Sequence, residues 1–281
     1  MMEIPKMLNI RGRLVSLEPP VVMGILNLTP DSFFTASRAL DENAIAKRIE
    51  AIIAEGGAIV DIGGYSSRPG STDVSLEEEW KRLEPALKIL RDDYPGVPVS
   101  VDTFRADIAL RAVEEYGAAI INDISGGEMD SKMFETVSAL KVPYILMHLR
   151  GDPQTMQQFT AYSQLIEEIM LYFAKKIRTL RLQGVSDVII DLGFGFSKTL
   201  AQNYELMRHL NEFSMLLECP LLVGISRKSM ICEFLGTTAE GSLNATTALH
   251  TFALLNGADI LRVHDVREAV EAVKIVEQLK H

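Results

Sequence analysis

The sequence predicts a TIM (β/α)8 barrel with its active site at the C-terminal ends of the strands, and three observations predict it. Eight apolar runs of strand length recur along the chain, most of them followed by a helical pattern. They stop at polar or glycine-bounded positions: Asn27, Asp61, Asp102, Asn122, His148, Asp191, Gly224 and Arg262-Val263-His264. No GxGxxG follows the first run, which disfavours the alternative of an open doubly wound sheet. Parallel strands joined by right-handed crossovers bring all eight endings to one face.

The 281 residues suit a single domain, 1–281, because barrels of this class commonly run to about 250 residues. Residues 1–20 read as an N-terminal hairpin extension turning at Arg11-Gly12. The first barrel strand is expected at 21–26, followed by a helix over 41–55 that Gly56-Gly57 ends. A strand at 58–62 opens a Gly/Ser/Pro-rich loop, and Ser75-Leu76-Glu77-Glu78 is a capping-box pattern that starts the second helix. Strands at 97–101 and 118–121 flank a helix over 105–116 with Gly117 as its stop. A short helix at 131–140, a strand at 142–147, a helix at 162–182 and a strand at 187–190 come next. One helix is expected over 200–213, then a strand at 220–223 and a long helical segment over 228–256 broken near Gly236. The last unit is a strand at 260–263 and a helix over 265–280 that packs through Ala269, Val270, Val273, Ile275 and Val276.

Apolar residues at 47% are enough for a large core, and a net charge of -10 with scattered basic residues argues against nucleic acid. An acidic chain still binds a small anion where a few cations converge, so Arg68, Lys228 and Arg262 outweigh the total. No secretory signal or bilayer-spanning stretch is readable, and Cys219 and Cys232 lack metal-site or disulfide spacing. A cytoplasmic protein with reduced, buried thiols is the expectation.

Five constellations carry chemistry. The segment from Gly24 to Phe34 breaks from a strand into a loop with Asn27, Asp31 and two hydroxyls, and an amide oxygen such as that of Asn27 can ligate magnesium. The segment from Asp61 to Gly70 presents Arg68 and several hydroxyls. Asp102, Asn122 and Asp191 offer acceptors without accompanying histidines, a poor transition-metal set but one suited to a heterocycle with adjacent N–H donors. Gly224-Ile225-Ser226-Arg227-Lys228 and Arg262-Val263-His264 follow the seventh and eighth strands, where such barrels often bind phosphate. Arg227 is expected to face solvent, and Asp61 and His148 are the endings expected to be structural.

These residues resemble dihydropteroate synthases over almost the whole chain. The stretches that carry it are MGILNLTPDSF, GGAIVDIGGYSSRPG, VSVDTFR, IINDISGG, LMHLRGDPQTMQ, DLGFGFSKT, GISRKS and RVHDV, in the family's order. The resemblance implies a transferase of folate biosynthesis that joins a dihydropterin-methyl diphosphate to 4-aminobenzoate with loss of pyrophosphate. It implies that Asp102, Asn122, Asp191 and Lys228 hold the pterin, that Asn27 contacts Mg2+, and that Arg262 and His264 bind the diphosphate. Phe33, Ser67, Arg68, Pro69, Phe196 and Lys228 would surround the aminobenzoate, with Ser226, Met147 and Asp31 also at the substrates. A homodimer is implied, with 244–255 as a candidate surface.

The chain departs from the family pattern at Tyr65-Ser66-Ser67, at Leu192 and at Thr35-Ala36-Ser37. Ser67 keeps a hydroxyl but lacks the family's methyl, so the expected change in aminobenzoate or sulfonamide affinity against Ser67→Thr is below about 2 kcal/mol. A corrinoid-dependent pterin methyltransferase domain and a non-catalytic pterin-binding paralogue are the alternatives. Lys228 in SRKS and the NLTPDSF loop disfavour the first, and the presence of Asn27, Lys228 and His264 disfavours the second.

Overall fold

The computed structural model describes residues 6–29, 42–66 and 73–280. Strands β1 (Met7–Ile10) and β2 (Arg13–Ser16) form an antiparallel hairpin. Its turn places Arg11 and Gly12 at φ 52° and 79°, the left-handed pair that matches the twist of a two-residue hairpin. Leu8, Ile10 and Leu17 pack against Met23, Ile59, Ile120, Ile189 and Ile260, so the hairpin plugs the N-terminal end of the barrel.

Strands β3 (Val21–Asn27), β4 (Ile59–Gly63), β5 (Val99–Asp102), β6 (Ile120–Asp123), β7 (Tyr144–Met147), β8 (Val188–Asp191), β9 (Leu221–Val223) and β10 (Ile260–Val263) run parallel in chain order. β10 pairs with β3 and closes the barrel. The strands are rich in Val, Ile and Leu because both faces are covered, by helices outside and by layered side chains inside. Period-two alternation then fixes direction: Met23 faces the interior cluster, whereas a Cβ on Gly24 would lie 2.5 Å from Ile52. Gly24 is what lets helix α1 (Glu42–Ala54) seat against β3.

Around the barrel run α2 (Leu76–Asp93), α3 (Ala106–Tyr116), α4 (Met133–Leu140), α5 (Leu165–Leu182), α6 (Leu200–Arg208), α7 (Leu210–Leu217), α8 (Ser229–Leu235), α9 (Leu243–Leu255) and α10 (Val266–Lys280). Ser75 caps α2 by accepting from the Glu78 amide at 3.2 Å, and Gly117 ends α3 in the left-handed region. The Glu78 carboxylate takes Arg82 rather than the cap amide, so the capping box is half formed.

Three expectations change. The helix expected over 200–213 is two helices, interrupted where His209 leaves helical geometry and its ring meets Glu212 at 2.6 Å. The buried residues Leu206, Met207, Leu210 and Phe213 continue across the break, so the apolar pattern does not reveal it. Ile275 is 61% exposed, because 3.6-residue periodicity sets it about 110° around the helix from the centre of the buried face of Ala269, Ala272, Val273 and Val276. Cys219 is buried as expected, but Cys232 is only half-buried.

Candidate active site

The polar endings do converge at the C-terminal end of the barrel. A cleft of about 370 Å³ is lined there by Asn27 from β3, Tyr65 and Ser66 after β4, Asp102 from β5, Phe194 and Phe196 after β8, Ser226 to Ser229 after β9, and Arg262 and His264 at β10. Asn122 and Asp191 are more deeply buried, and Asp191 stands beside the Lys228 charge.

Arg262 is the hub. Its Nε donates to Asp61 at 2.7 Å and its Nη2 to Asp102 at 2.7 Å. Asn122 donates to both Asp61 oxygens at 3.3 and 3.4 Å, leaving its amide oxygen for another donor. Burial drives the Asp102 carboxyl upward, opposed chiefly by Arg262, and the neighbouring Asp61 charge adds to the rise. Burial also raises Asp191, while Lys228 and a 2.8 Å bond from the Gly193 amide favour its ionised form. A ligand with ring N–H and amino donors would satisfy these acceptors together.

Lys228 donates to the Phe194 carbonyl at 2.6 Å and lies 4.7 Å above the Phe196 ring. Burial lowers its pKa to about 8, with Asp191 opposing. His264 is lowered to about 4, first by burial and then by Arg262, so it is neutral near pH 7. Its amide donates to Ser226 Oγ at 3.2 Å, and its carbonyl accepts from Arg48 on α1 at 2.7 Å. Met147 lies in an apolar cluster with Phe104, Ile124, Leu149 and Met156, against which Tyr65 and Phe196 pack.

The pterin-binding enzyme family profile matches residues 23–264. Among curated proteins, the dihydropteroate synthase of Synechocystis is 41% identical over 92% of this chain and 89% of its own length. A Pneumocystis carinii folic acid synthesis protein is also 41% identical, over 93% of this chain; the match spans only 36% of that longer protein. The chain belongs to the dihydropteroate synthase family. The Yersinia pestis dihydropteroate synthase, solved with a sulfonamide drug complex, superposes with a TM-score of 0.91 at 37% identity, covering 98% of this chain and 99% of that one. The Xanthomonas albilineans dihydropteroate synthase, solved with 4-aminobenzoic acid, gives 0.90 at 34% identity with 99% of each chain covered. The fold and the folate-biosynthetic transferase class are therefore those of dihydropteroate synthases.

Of the residues expected from the family pattern, Asn27, Asp102, Phe196, Ser226, Lys228, Arg262 and His264 line the cleft. Asn122 and Asp191 sit in the buried polar layer that joins them. Asp31, Phe33, Ser67, Arg68 and Pro69 lie outside the described residues, as do Thr35, Ala36 and Ser37. One sequence expectation is corrected. Arg227 does not simply face solvent: it forms a bidentate pair with Asp265 at 2.7 and 2.8 Å and adopts φ 56°. Asp61 has the structural part expected of it, fully buried and orienting both Arg262 and Asn122.

Sequence reasoning also passed over Met156 and Phe194, and it named Tyr65 only as a departure from the family pattern. Met156 reaches the cleft from a single 3-10 turn, which leaves no periodic signal. Tyr65 stands where the dihydropteroate synthase pattern has Glu, edge-on to Phe104 at 5.0 Å. Phe194 matters through its carbonyl, a group every residue carries. Asp123, beside Asn122, accepts from the Ser125 and Gly127 amides and from the Tyr144 hydroxyl, and so shapes the turn after β6.

Proposed function

We propose that this chain condenses 7,8-dihydropterin-6-ylmethyl diphosphate with 4-aminobenzoate. The amine lone pair forms a bond to the methylene carbon, the carbon–oxygen bond to diphosphate breaks, and pyrophosphate and one proton leave. The observation that carries this reading is the joining of buried acceptors at Asp102, Asn122 and Asp191 to cations at Lys228 and Arg262 across one cleft. The acceptors hold the pterin ring, and their negative charge favours the cation that develops on it as pyrophosphate departs. Arg262 and His264 face the leaving group: the guanidinium supplies charge, and the leaving group's own charge would raise the His264 pKa from about 4. An aromatic amine is nucleophilic when neutral, so the Phe196 ring and Lys228 need only position it.

Among the described residues no three His, Cys, Asp or Glu side chains gather into a metal site. Asn27, whose side chain lines the cleft, fits a magnesium ion that takes most of its oxygens from the diphosphate. Bound there, the ion would neutralise charge on the leaving group. Sulfonamide binding at the aminobenzoate position is part of the same reading, as is a cytoplasmic location; no helix among the described residues is long and apolar enough to cross a membrane. A homodimer through α9 is supported by the exposure of Phe252 and Leu255 on that helix.

The test is pyrophosphate release from the pterin diphosphate, Mg2+ and 4-aminobenzoate, with Lys228→Ala as the control. Release dependent on 4-aminobenzoate and far above the control supports the reading; release no greater than the control ends it.

A further inference from the structure

We infer that Lys198 is a positioning residue for catalysis: its buried ammonium ties the loop after β8 into the conformation that sets the Phe194 carbonyl and Phe196 ring around Lys228. The inference rests on the condensation proposed above, and it assigns a task to a cation that the chemistry itself leaves unused.

Lys198 is 3% exposed and donates to three acceptors: His148 Nδ1 at 3.0 Å, the Gly193 carbonyl at 3.1 Å and the Phe196 carbonyl at 3.0 Å. Three N–H groups therefore meet three acceptors, and two of them belong to the short loop that Lys198 itself closes. The same loop starts at Asp191, whose carboxylate accepts from the Gly193 amide. Gly193 has φ 67°, and a Cβ there would come within 2.2 Å of the His148 carbonyl, so the loop lies hard against the residue that accepts from Lys198. What the loop carries is functional: the Phe194 carbonyl accepts from Lys228, and the Phe196 ring lies under its ammonium.

A buried cation is an expensive tie, because taking an ammonium out of water costs far more than burying a neutral donor. Here the acceptors are two carbonyl dipoles and a histidine kept neutral. Burial, with Lys198 and Arg150 nearby, holds His148 well below its usual pKa, so Nδ1 accepts and the ring proton sits on Nε2. The charged groups facing Lys198 are Asp191 from β8, Lys228 ahead of α8 and Arg150 after β7; Tyr162 and the α5 residues Tyr172 and Phe173 pack around the His148 ring. Asp191 alone among these charged groups favours the ammonium, and burial lowers the Lys198 pKa to about 7. The Lys198 charge in turn favours the ionised form of Asp191.

The experiment uses the full chain as Lys198→Met and Lys198→Arg, with kcat, both KM values, the pH dependence of kcat/KM and thermal melting. Wild type must release pyrophosphate in the same assay; if it does not, the proposed reaction fails rather than this inference. Lys198→Met is expected to lower kcat by about tenfold or more, to raise KM for 4-aminobenzoate more than KM for the pterin diphosphate, and to move the alkaline limb that Lys228 sets. Lys198→Arg should recover part of each effect. If Lys198→Met only melts earlier, with kcat, the KM ratio and the pH limb as in wild type, the inference is overturned. Should Lys198→Met not fold, His148→Gln, which displaces the third acceptor while keeping the ammonium, carries the same readouts with the same two outcomes.

Discussion

Asp61 and Arg262, 201 residues apart in sequence, meet at 2.7 Å inside the barrel, with the carboxylate fully buried. This pair, extended to Asp102 and Asn122, orders the floor of the cleft before any ligand arrives. Removing Arg262 strands the buried Asp61 carboxylate, which costs about 3–5 kcal/mol, whereas removing the Asp61 charge leaves Arg262 paired with Asp102. Asp61→Asn is therefore expected to cost less than Arg262→Gln in urea denaturation, and to lower kcat/KM by at least about tenfold. Combined, the two should cost less than their sum, because Arg262→Gln strands no charge at position 61 once Asp61 is neutral. Strict additivity would show that the two side chains are not coupled.

Lys228 sets a pH limit. Its pKa is lowered to about 8, so its charge is present below that pH and lost as pH rises through it. If the charge holds the pterin and its leaving group, kcat/KM for the pterin diphosphate falls above about pH 8, by about tenfold per pH unit. In Lys228→Arg the limb should move out of the measured range, and a limb that stays in place assigns it to another group.

The buried His250 on α9 makes the fold acid-sensitive. Its Nε2 has no hydrogen-bond partner, and burial lowers its pKa from 6.5 to about 4. The unfolded chain therefore binds the proton first: stability attributable to neutral His250 is full above pH 6.5 and is lost as pH falls from there to about 4. Relative to His250→Met, wild type should lose about 2–3 kcal/mol between pH 7 and 4.5 in urea titrations. Parallel losses in both proteins would remove His250 from the acid response.

The hairpin plug should affect stability without affecting chemistry. Leu8 is buried against the interior layer at the end of the barrel opposite the cleft. Leu8→Ala is expected to cost about 2–5 kcal/mol in denaturant titrations. Activity per folded molecule should stay within about twofold at low temperature, since no cleft residue touches the plug. A selective change in KM would show that strain passes along the strands.

The sequence alone determined the barrel and picked out seven residues that line its cleft, Asn27, Asp102, Phe196, Ser226, Lys228, Arg262 and His264, because both are written in local signals. Eight β-length apolar runs alternate with helical periodicity, and residues such as Asn27, Asp102, Asn122, Asp191, Lys228 and His264 stand at strand ends or just beyond them. Parallel topology then carries those ends to one face. The tertiary structure decided what no single segment encodes. It made Asp61 the partner of Arg262, paired Arg227 with Asp265, split the helix at His209, and enclosed Lys198 between His148 and two carbonyls. The physical reason is range: periodicity reports which way a side chain faces along its own strand or helix, whereas a buried charge takes its partner from whichever strand closure brings opposite. That partner becomes defined only when β10 meets β3 and the barrel shuts.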